Sequence, residues 1–308
     1  MRNIRSTVLA LFVSSTLGVS AQCPTIVPTG ADSCRIGTGE VTLGASGSTG
    51  YYSWYDAASG GNWLSYGSTY ITPTISTTTN YYVAARNQHF GLDFDGSNDY
   101  VAIDNMFYNS SGLTELTVEA WVRTTSTGNQ MVCSFDRSEY FRLSINDYAG
   151  PGEVNWSVFT SSGIEDLAGN TAINDGDWHH IAGVFDNGTM SIYVDGVLDA
   201  TTSTGATWGD GVTRYGFIGT GSEATAFDGA RGPTTEMNGE IDELRIWSVA
   251  RSQTEIQNSM FVCLDGSETG LDAYFKLDEG SGTSVSSEVG SATGTMFNMD
   301  ASTDWIEN

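Results

Sequence analysis

The stretch DGDWHHIAGVFDNGTMSIYVDGVL, residues 175–198, decides the fold. It contains two runs, HHIAGVFD and GTMSIYVDGVL, in which apolar side chains alternate with others between turns rich in Gly, Asp and Asn. Successive side chains of a strand point to opposite sides, so this alternation indicates strands with one buried face. The stretch therefore predicts neighbouring strands of an antiparallel sheet.

The same pattern extends through residues 88–260, which we predict to form the larger unit. Seven further alternating segments accompany the two runs above: FGLDFDGSNDYVAI, LTVEAWVRT, QMVCSFDR, YFRLSIN, EVNWSVFT, YGFIGTG and EIDELRIW. Together they predict an antiparallel sandwich of two sheets. The segment SQTEIQNSM adds one predicted helix, with Ser252 as its N-cap and Glu255 at the capping-box position.

Residues 22–87 form a smaller predicted unit. Runs such as YYSWYDA and TNYYVAAR alternate with Gly and Ser turns and predict a small β-sandwich, with Trp54 and Tyr82 as core aromatics. The chain has 37 Gly and only 5 Pro among its 308 residues, together with many Ser, Thr, Asn and Tyr. This composition favours strands and turns over helices, so the whole chain is predicted to be all-β.

Residues 1–21 have the layout of a signal peptide. Basic residues precede an apolar centre, STVLALFVSSTLG, and the small residues Val19 and Ala21 occupy cleavage-type positions. The apolar run is too short to span a bilayer. We therefore expect export without a lipid anchor or membrane insertion, to a secreted, extracellular or cell-surface location.

The net charge of the chain is −25 and its pI about 4.1. Such a charge makes nucleic acid and anionic membrane surfaces poor partners. Neutral glycans, cations and basic proteins remain as partners. An acidic surface that only keeps the protein soluble is the simpler alternative.

Four cysteines follow the predicted signal: Cys23, Cys34, Cys133 and Cys263. Export permits disulfides, and the short distance in sequence between Cys23 and Cys34 favours a bridge between them. Cys133 and Cys263 are a second candidate pair across the larger unit, and sequence alone leaves the connectivity open. The cysteine spacings do not match a zinc site.

Four blocks of the larger unit together resemble a known family. They are GLDFDGSNDYV, LTVEAWVRT, the stretch 175–198 and GEIDELRIWSVARSQTEI. In this order they are similar to laminin G-like domains of the concanavalin A-like class. The resemblance implies a two-sheet jelly roll but no ligand, because lectins, adhesins, spacers and hydrolases share this fold.

The smaller unit resembles the immunoglobulin-like module of secreted bacterial surface proteins. The resemblance rests on CRIGTGEVTLGASG, SWYDAASGG and GSTYITPTISTTTNYYVAA. Such modules usually act as spacers. The predicted order is thus a small Ig-like β-sandwich followed by a concanavalin A-like two-sheet jelly roll.

Residues 261–308 contain GLDAYFKLDEGSGTSV, which is similar to the strand that usually opens such a jelly roll. Here it comes last, so it either completes the same sandwich or opens a further copy. The first alternative is favoured because a lone strand would expose Tyr274, Phe275 and Leu277.

The run GEIDELRIW carries Glu240 and Asp242 on one face of a predicted strand. Lichenase- and laminarinase-type glycosidases share the jelly roll and use a Glu-x-Asp-x-Glu strand, so the resemblance raises hydrolysis as an activity. The third acid should fall at 244 or 245, which are Leu244 and Arg245, and Glu243 points to the other face of a regular strand. Retaining hydrolysis needs two carboxyl groups. We therefore predict no catalytic residue and interpret the run as a core strand.

The turn DFDGSNDYV raises calcium as the one cofactor that the sequence suggests. Asp93, Asp95 and Asp99, joined by Asp242, would supply the carboxylate oxygens that calcium prefers. The simpler interpretation is a strand followed by a turn, with Asp93 and Asp95 facing solvent.

Sugar binding needs exposed aromatic rings, on which the apolar side of a pyranose stacks. Trp156, Tyr148 and Trp208 lie in or beside Gly- and Asp-rich segments and are the candidate ligand-binding rings. The alternative for each ring is a place in the core of the sandwich.

These observations favour an exported, non-catalytic binding or adhesion protein whose lectin-type jelly roll contacts a glycan or a cell-surface protein. Two alternatives stay open. One is an accessory or degenerate module of a polysaccharide-degrading glycoside hydrolase, and the other is a structural spacer.

Overall fold

The computed structural model of the chain describes residues 29–31, 38–46, 52–57, 62–85, 90–148, 150–233 and 235–307. The predicted signal peptide, residues 1–21, lies outside the described residues. The chain divides into two units, Met1–Gln88 with Thr254–Asp265 and His89–Gln253 with Gly266–Asn308. Residues 254–265 thus group with the first unit, although the sequence assigned 254–260 to the jelly roll and 261–265 to the tail.

The described strands of the first unit are β1 Thr29–Ala31, β2 Thr42–Ser46, β3 Tyr52–Tyr55, β4 Trp63–Tyr66, β5 Thr69–Ile71 and β6 Tyr82–Ala85. They pair as two sheets in the orders β1-β2-β5 and β4-β3-β6. Trp54 is buried in the core of this unit, with its ring 5.8 Å from the ring of Tyr70. Tyr82 is not a core residue, because Tyr81 and Val83 face inward and the alternation turns Tyr82 the other way.

The larger unit is built almost entirely of strands, as the sequence predicts. They are β7 Phe90–Asp95, β8 Tyr100–Tyr108, β9 Ser111–Leu113, β10 Glu115–Arg123, β11 Gln130–Ser134, β12 Phe141–Ile145, β13 Glu153–Thr160, β14 Gly163–Ala172, β15 His179–Asp186, β16 Thr189–Val194, β17 Val197–Ser203, β18 Trp208–Asp210, β19 Arg214–Ile218 and β20 Asn238–Trp247. Four more follow: β21 Leu271–Phe275, β22 Ser284–Ser286, β23 Thr293–Phe297 and β24 Trp305–Glu307. The predicted helix, α1, spans Gln253–Ser259 and starts directly after Ser252.

Two antiparallel sheets form the sandwich. The eight-stranded sheet has the order β17-β16-β15-β10-β20-β7-β24, and β21 pairs with β20 beside β7. The ten-stranded sheet has the order β22-β23-β8-β19-β11-β12-β13-β18-β9, and β14 pairs with β13. The all-β prediction is confirmed. Among the described residues, no helix has the length and apolar character that crossing a membrane requires.

The C-terminal segment contributes strands to both sheets. β21 pairs with β20 and β24 pairs with β7 in the eight-stranded sheet, whereas β23 pairs with β8 in the ten-stranded sheet. Tyr274, Phe275 and Leu277 are consequently buried. The segment therefore completes the same sandwich, which is the alternative that the exposure argument favoured.

The core lies between the two sheets and is filled by their alternate side chains. Trp156 of β13 extends across it from the ten-stranded sheet and meets Gly183 of β15 in the eight-stranded sheet. A Cβ atom at position 183 would collide with the indole ring. The absence of a side chain at Gly183 thus lets the two sheets approach around the indole ring of Trp156.

The predicted pairing of Cys133 with Cys263 is wrong. Cys133 is a free thiol that points into the core from β11 and has no exposed surface. Cys263 is disulfide-bonded, in the segment that follows α1. The other predicted pair, Cys23 with Cys34, lies outside the described residues.

We expect Gly183→Ala to destabilise the larger unit by roughly 1–3 kcal/mol, because the added methyl group overpacks the core against Trp156. Gly128→Ala is the matched control, since the nearest atom that its Cβ would meet is 3.6 Å away. Thermal or denaturant unfolding measures the difference. Equal stability of the two variants would contradict this account of the core.

We expect Cys133 to resist alkylation in the native protein and to react once the protein is unfolded without reductant. Burial raises the pKa of its thiol, so the reactive thiolate is both inaccessible and unpopulated. Peptide mapping by mass spectrometry after iodoacetamide treatment measures this, and the Cys263 peptide should stay unlabelled in both samples. Labelling of native Cys133 at the rate of a free peptide would be inconsistent with its position.

Candidate functional site

The outer side of the ten-stranded sheet carries a polar face although most of its side chains are buried. Leu143 on β12 and Trp156 on β13 point into the core, so their neighbours on each strand point outward. The strand register aligns these neighbours in two rows, Ser134, Arg142, Ser157 and Asp166 in one and Ser144 and Asn155 in the other. We call these six residues, with the loop residues that contact them, the polar face.

Tyr148 lies over the polar face and is its most accessible ring. Its exposed fraction is 50%, and its ring centroid lies 4.3 Å from the guanidinium carbon of Arg137 and 5.1 Å from that of Arg142. The loop that carries Tyr148 bends toward the sheet because the Asn155 side-chain oxygen accepts hydrogen bonds from the backbone N–H groups of Asp147 at 2.8 Å and Tyr148 at 3.2 Å. Tyr148 is thus an exposed ring in a fixed position.

Each arginine beneath Tyr148 is paired with an acid. Arg142 forms an ion pair with Asp147, and Arg137 Nε donates to Asp166 Oδ1 at 2.8 Å. Burial raises the pKa of Asp147, while the charges of Arg142 and Arg137 oppose the shift. Because the charges are balanced within the polar face, the surface suits a neutral polar ligand better than an ion.

Donors on the polar face that lack a hydrogen-bond partner within the described residues include Nε of Arg142 and Nδ2 of Asn155, and both side chains are almost completely buried. A buried donor without a partner costs about 1–3 kcal/mol. Because neither donor atom has accessible surface, this cost falls on the folded protein, and a ligand on the polar face contacts the more exposed Arg137, Tyr148 and Asp166 instead.

A pair of carboxyl groups lies beside the polar face. Arg214 Nε donates to Asp136 Oδ2 at 2.6 Å, and Arg214 Nη2 lies 3.2 Å from Glu139 Oε1. Burial, a hydrogen bond to Asp136 and the charge of Asp136 raise the pKa of Glu139 to about 7, although Arg214 opposes the shift. Glu139 therefore holds a proton in a range where an exposed glutamate would be ionised.

Two of the three predicted ligand-binding rings are in the wrong place for stacking. Trp156 has no exposed surface and Trp208 is 2% exposed, since both lie in the core. Trp208 also donates its ring N–H to the backbone oxygen of Glu115 at 3.2 Å. Trp156 lies in the middle of β13 and Trp208 begins the short strand β18, so the interpretation of these two rings as ligand-binding is corrected to core packing.

The predicted calcium ligands are not brought together. Asp95 Oδ1 accepts the backbone N–H of Ser97 at 2.7 Å and Asp99 Oδ2 accepts that of Asp95 at 3.0 Å, so these two carboxylates close the turn. Asp93 is on β7, while Asp242 is opposite Trp121 in β20. Within the part of the chain that the structure describes, no cluster of three or more His, Cys, Asp or Glu side chains is arranged to hold a metal ion.

The acidic strand β20 has no free carboxylate pair of the kind that retaining hydrolysis uses. Glu240 forms an ion pair with Arg123 on the neighbouring strand. The strand is not regular, because a bulge beside Glu243, which has a φ of 55°, shifts the register with β10. Glu243 lies beside Arg245, two positions further along the strand, and the Nη2 atom of Arg245 is 2.5 Å from Glu243 Oε2. Leu244 is in the core, as the interpretation of a core strand requires.

Most residues of the polar face were not among the binding residues expected from the sequence. Arg137 and Asp166 are 29 positions apart, and only the pairing of β13 with β14 brings them together. The available signal was the alternation in YFRLSIN and EVNWSVFT, whose outward positions are Arg, Ser and Asn. Charged and amide side chains at such positions mark a face that binds polar groups.

Both units match models of known protein families. The model of the concanavalin A-like lectin/glucanases superfamily, Laminin_G_3, matches residues 95–257. The model of the Ig-like domain described as CHU_C associated matches residues 22–90. Both resemblances noted in the sequence are confirmed.

Among characterised relatives, the sushi, von Willebrand factor type A, EGF and pentraxin domain-containing protein 1 of Rattus norvegicus is 24% identical over 181 residues. The match covers 56% of this chain and 5% of the relative. The mouse protein of the same name is 26% identical over 177 residues, again 5% of its length. The chain therefore spans a small fraction of the relatives it matches.

A crystal structure of a candidate carbohydrate-binding protein from Bacteroides ovatus has a similar fold. The TM-score is 0.55 at 18% sequence identity, and the alignment covers 85% of this chain and 91% of that one. At this identity the likeness establishes the fold of the two proteins.

We expect Glu139→Gln to stabilise the protein relative to wild type near pH 8 and to have little effect near pH 5. The folded pKa of about 7 lies above the ordinary 4.5, so wild-type stability falls as the pH rises between these values, and glutamine mimics the protonated form. The gain should be roughly 1 kcal/mol after solvent screening. Melting temperatures across this pH range measure it, with Glu223→Gln, an exposed carboxylate, as the control. A difference in melting temperature between Glu139→Gln and wild type that does not change with pH would contradict the raised pKa of Glu139.

Proposed function

Because the chain belongs to the concanavalin A-like lectin/glucanases superfamily, we propose that its larger unit is a non-catalytic module that binds a neutral glycan. The single observation that carries the proposal is the exposed ring of Tyr148 over the charge-balanced polar face. Its exposed surface is available to the apolar side of a pyranose, as the carbohydrate-stacking argument requires.

The polar face supplies the complementary hydrogen bonds. Arg137 and Asp166 are partly exposed beside Tyr148 and offer donors and acceptors to sugar hydroxyl groups. Neutral sugars fit this pattern because each arginine of the site is paired with an acid, which leaves the charge of the site balanced.

The arrangement of acidic side chains on β20 favours a binding role over hydrolysis. Glu240 is ion-paired with Arg123, and the position expected for a third acid is occupied by the core residue Leu244 and by Arg245. The carbohydrate-binding assignment of the Bacteroides ovatus protein of similar fold adds support for glycan binding.

The cellular setting is part of the same proposal. The Ig-like domain at residues 22–90 and the signal-like residues 1–21 support an exported protein at the cell surface or outside the cell. There the first unit would act as a spacer and the larger unit would attach the protein to glycan or to a glycan-bearing surface protein.

We expect Tyr148→Ala to weaken glycan binding by about tenfold, which corresponds to a stacking energy of roughly 1.4 kcal/mol. Tyr148→Phe should retain most of the affinity because it keeps the ring. The measurement is an array of neutral polysaccharides, followed by calorimetry with the polysaccharide that binds and a reducing-end assay for turnover.

Phe227→Ala is the matched control, since Phe227 is an exposed ring of the same unit, 38% accessible and outside the polar face. Its affinity should equal that of wild type. Binding that is unchanged in Tyr148→Ala, or absent in the folded wild-type protein for every polysaccharide, would disprove the proposal. Release of reducing ends that Glu240→Gln abolishes would replace it with hydrolysis.

A further inference from the structure

A second accessible aromatic surface lies on the outer side of the ten-stranded sheet. Met106 and Tyr108 pack against the core, so Phe107 between them on β8 points outward. Phe107 is 46% exposed, and the ring of Tyr215 on the neighbouring strand β19 lies 5.3 Å from its ring. Tyr215 is half-buried. We call these two rings the aromatic pair.

The strand register places the aromatic pair on the same surface as the polar face. Ile218 points into the core, so its neighbour Phe217 points outward, and Tyr215 packs against the cluster that contains Phe217. Phe217 is opposite Ser134 of β11, and Ser134 is opposite Arg142 of β12. The outward row that forms the polar face therefore continues into the aromatic cluster on β19.

The separation of the two ring sites is larger than one sugar. Three strand spacings lie between β8, which carries Phe107, and β12, over which Tyr148 lies. Neighbouring strands are about 4.8 Å apart, so the distance across the sheet is roughly 14 Å. A single sugar ring cannot cover this distance, whereas a chain of several sugar rings can.

Partly exposed polar side chains connect the two ring sites. Arg214 directly precedes Tyr215, and its Nη2 atom lies 3.2 Å from Glu139 Oε1. The turn that carries Glu139 also carries Arg137, whose guanidinium carbon lies 4.3 Å from the ring centroid of Tyr148. The side chains of Arg137, Glu139 and Arg214 all retain accessible surface. Groups that can bond sugar hydroxyls thus lie along the path from one ring site to the other.

We propose that the binding site extends from Tyr148 across this turn to the aromatic pair, and that its ligand is an extended neutral glycan chain. This inference rests on the proposed glycan binding at the polar face. Tyr148 would stack on one sugar unit and Phe107 on a later unit of the same chain. The second contact is then made by a ligand that is already bound, so it raises the affinity at a small entropic cost.

A glycan explains the exposed ring of Phe107 better than a protein partner does. A single exposed ring is common and needs no ligand. Phe107, however, is one of a pair, and charged side chains join that pair to the polar face. The centres of protein interfaces are depleted of charged residues, whereas the surface between these two ring sites is charged.

The test is a length series, from disaccharide to hexasaccharide, of cello-, laminari- and manno-oligosaccharides, measured by calorimetry on the full chain. In the series that binds, wild-type affinity should rise about tenfold between the disaccharide and the hexasaccharide. Phe107→Ala should weaken hexasaccharide binding about tenfold and leave disaccharide binding unchanged, because the short ligand reaches only Tyr148. Phe107→Tyr keeps the ring and should bind both ligands as wild type does.

Phe227→Ala is again the matched control. The next residue, Asp228, accepts a hydrogen bond from Tyr100, which begins β8 at the end opposite to Phe107. Phe227→Ala should therefore bind every length as wild type does. Melting temperatures show whether each variant is folded, and Phe107→Leu, which keeps an apolar side chain without a ring, takes the place of Phe107→Ala if the latter is not.

The outcomes separate this inference from the proposed function. Equal wild-type affinity for the disaccharide and the hexasaccharide, or wild-type hexasaccharide affinity in a folded variant without the Phe107 ring, overturns the extended site and leaves binding at Tyr148 in place. Tyr148→Ala should weaken binding of every length. Unchanged binding in Tyr148→Ala, or no binding of any series by the folded wild-type protein, overturns the proposed function and the extended site together.

Discussion

The pairing of β20 with three other strands is the constraint on which the larger unit depends. Along one edge β20 pairs with β10, and along the other it pairs first with β7 and then with β21. A strand in this position must present apolar side chains to the core and still satisfy its backbone on both sides. The bulge at Glu243 meets both requirements. It adjusts the register of β20 at the point where its pairing partner changes from β7 to β21.

The same strand carries a buried charge network. Arg245 lies 2.5 Å from Glu243 and 3.6 Å from Glu119, Tyr274 donates to Glu243 at 2.7 Å, and Trp247 donates to Glu119 at 3.0 Å. Burial alone would lower the pKa of Arg245, but the acids around it outweigh this effect and raise it, so the guanidinium stays charged. Since removal of one member would leave an uncompensated charge in the interior, the network fixes the register of β10, β20 and β21 more than it adds stability.

Local alternation was enough to predict the class of fold, whereas the candidate sites depend on long-range pairing. Trp54 and the strands of residues 175–198 follow from period-two patterns that do not need the tertiary structure. Trp208 was misinterpreted because Gly and Asp around a ring suggest a loop, although here they flank a short strand against the core. The ion pair of Arg137 with Asp166 and the hydrogen bond from Arg214 to Asp136 join residues that no sequence pattern connects.

The strand β24 has a consequence for when the larger unit can form. Residues 305–307 pair with β7, which starts at Phe90, so the first and last strands of the sandwich are neighbours in one sheet. Contacts between such distant parts of a chain are slow to form, because a long loop must close first. The eight-stranded sheet can therefore be completed only after almost the whole unit has left the ribosome, so the early strand β7 must wait for its partner without pairing to a wrong one.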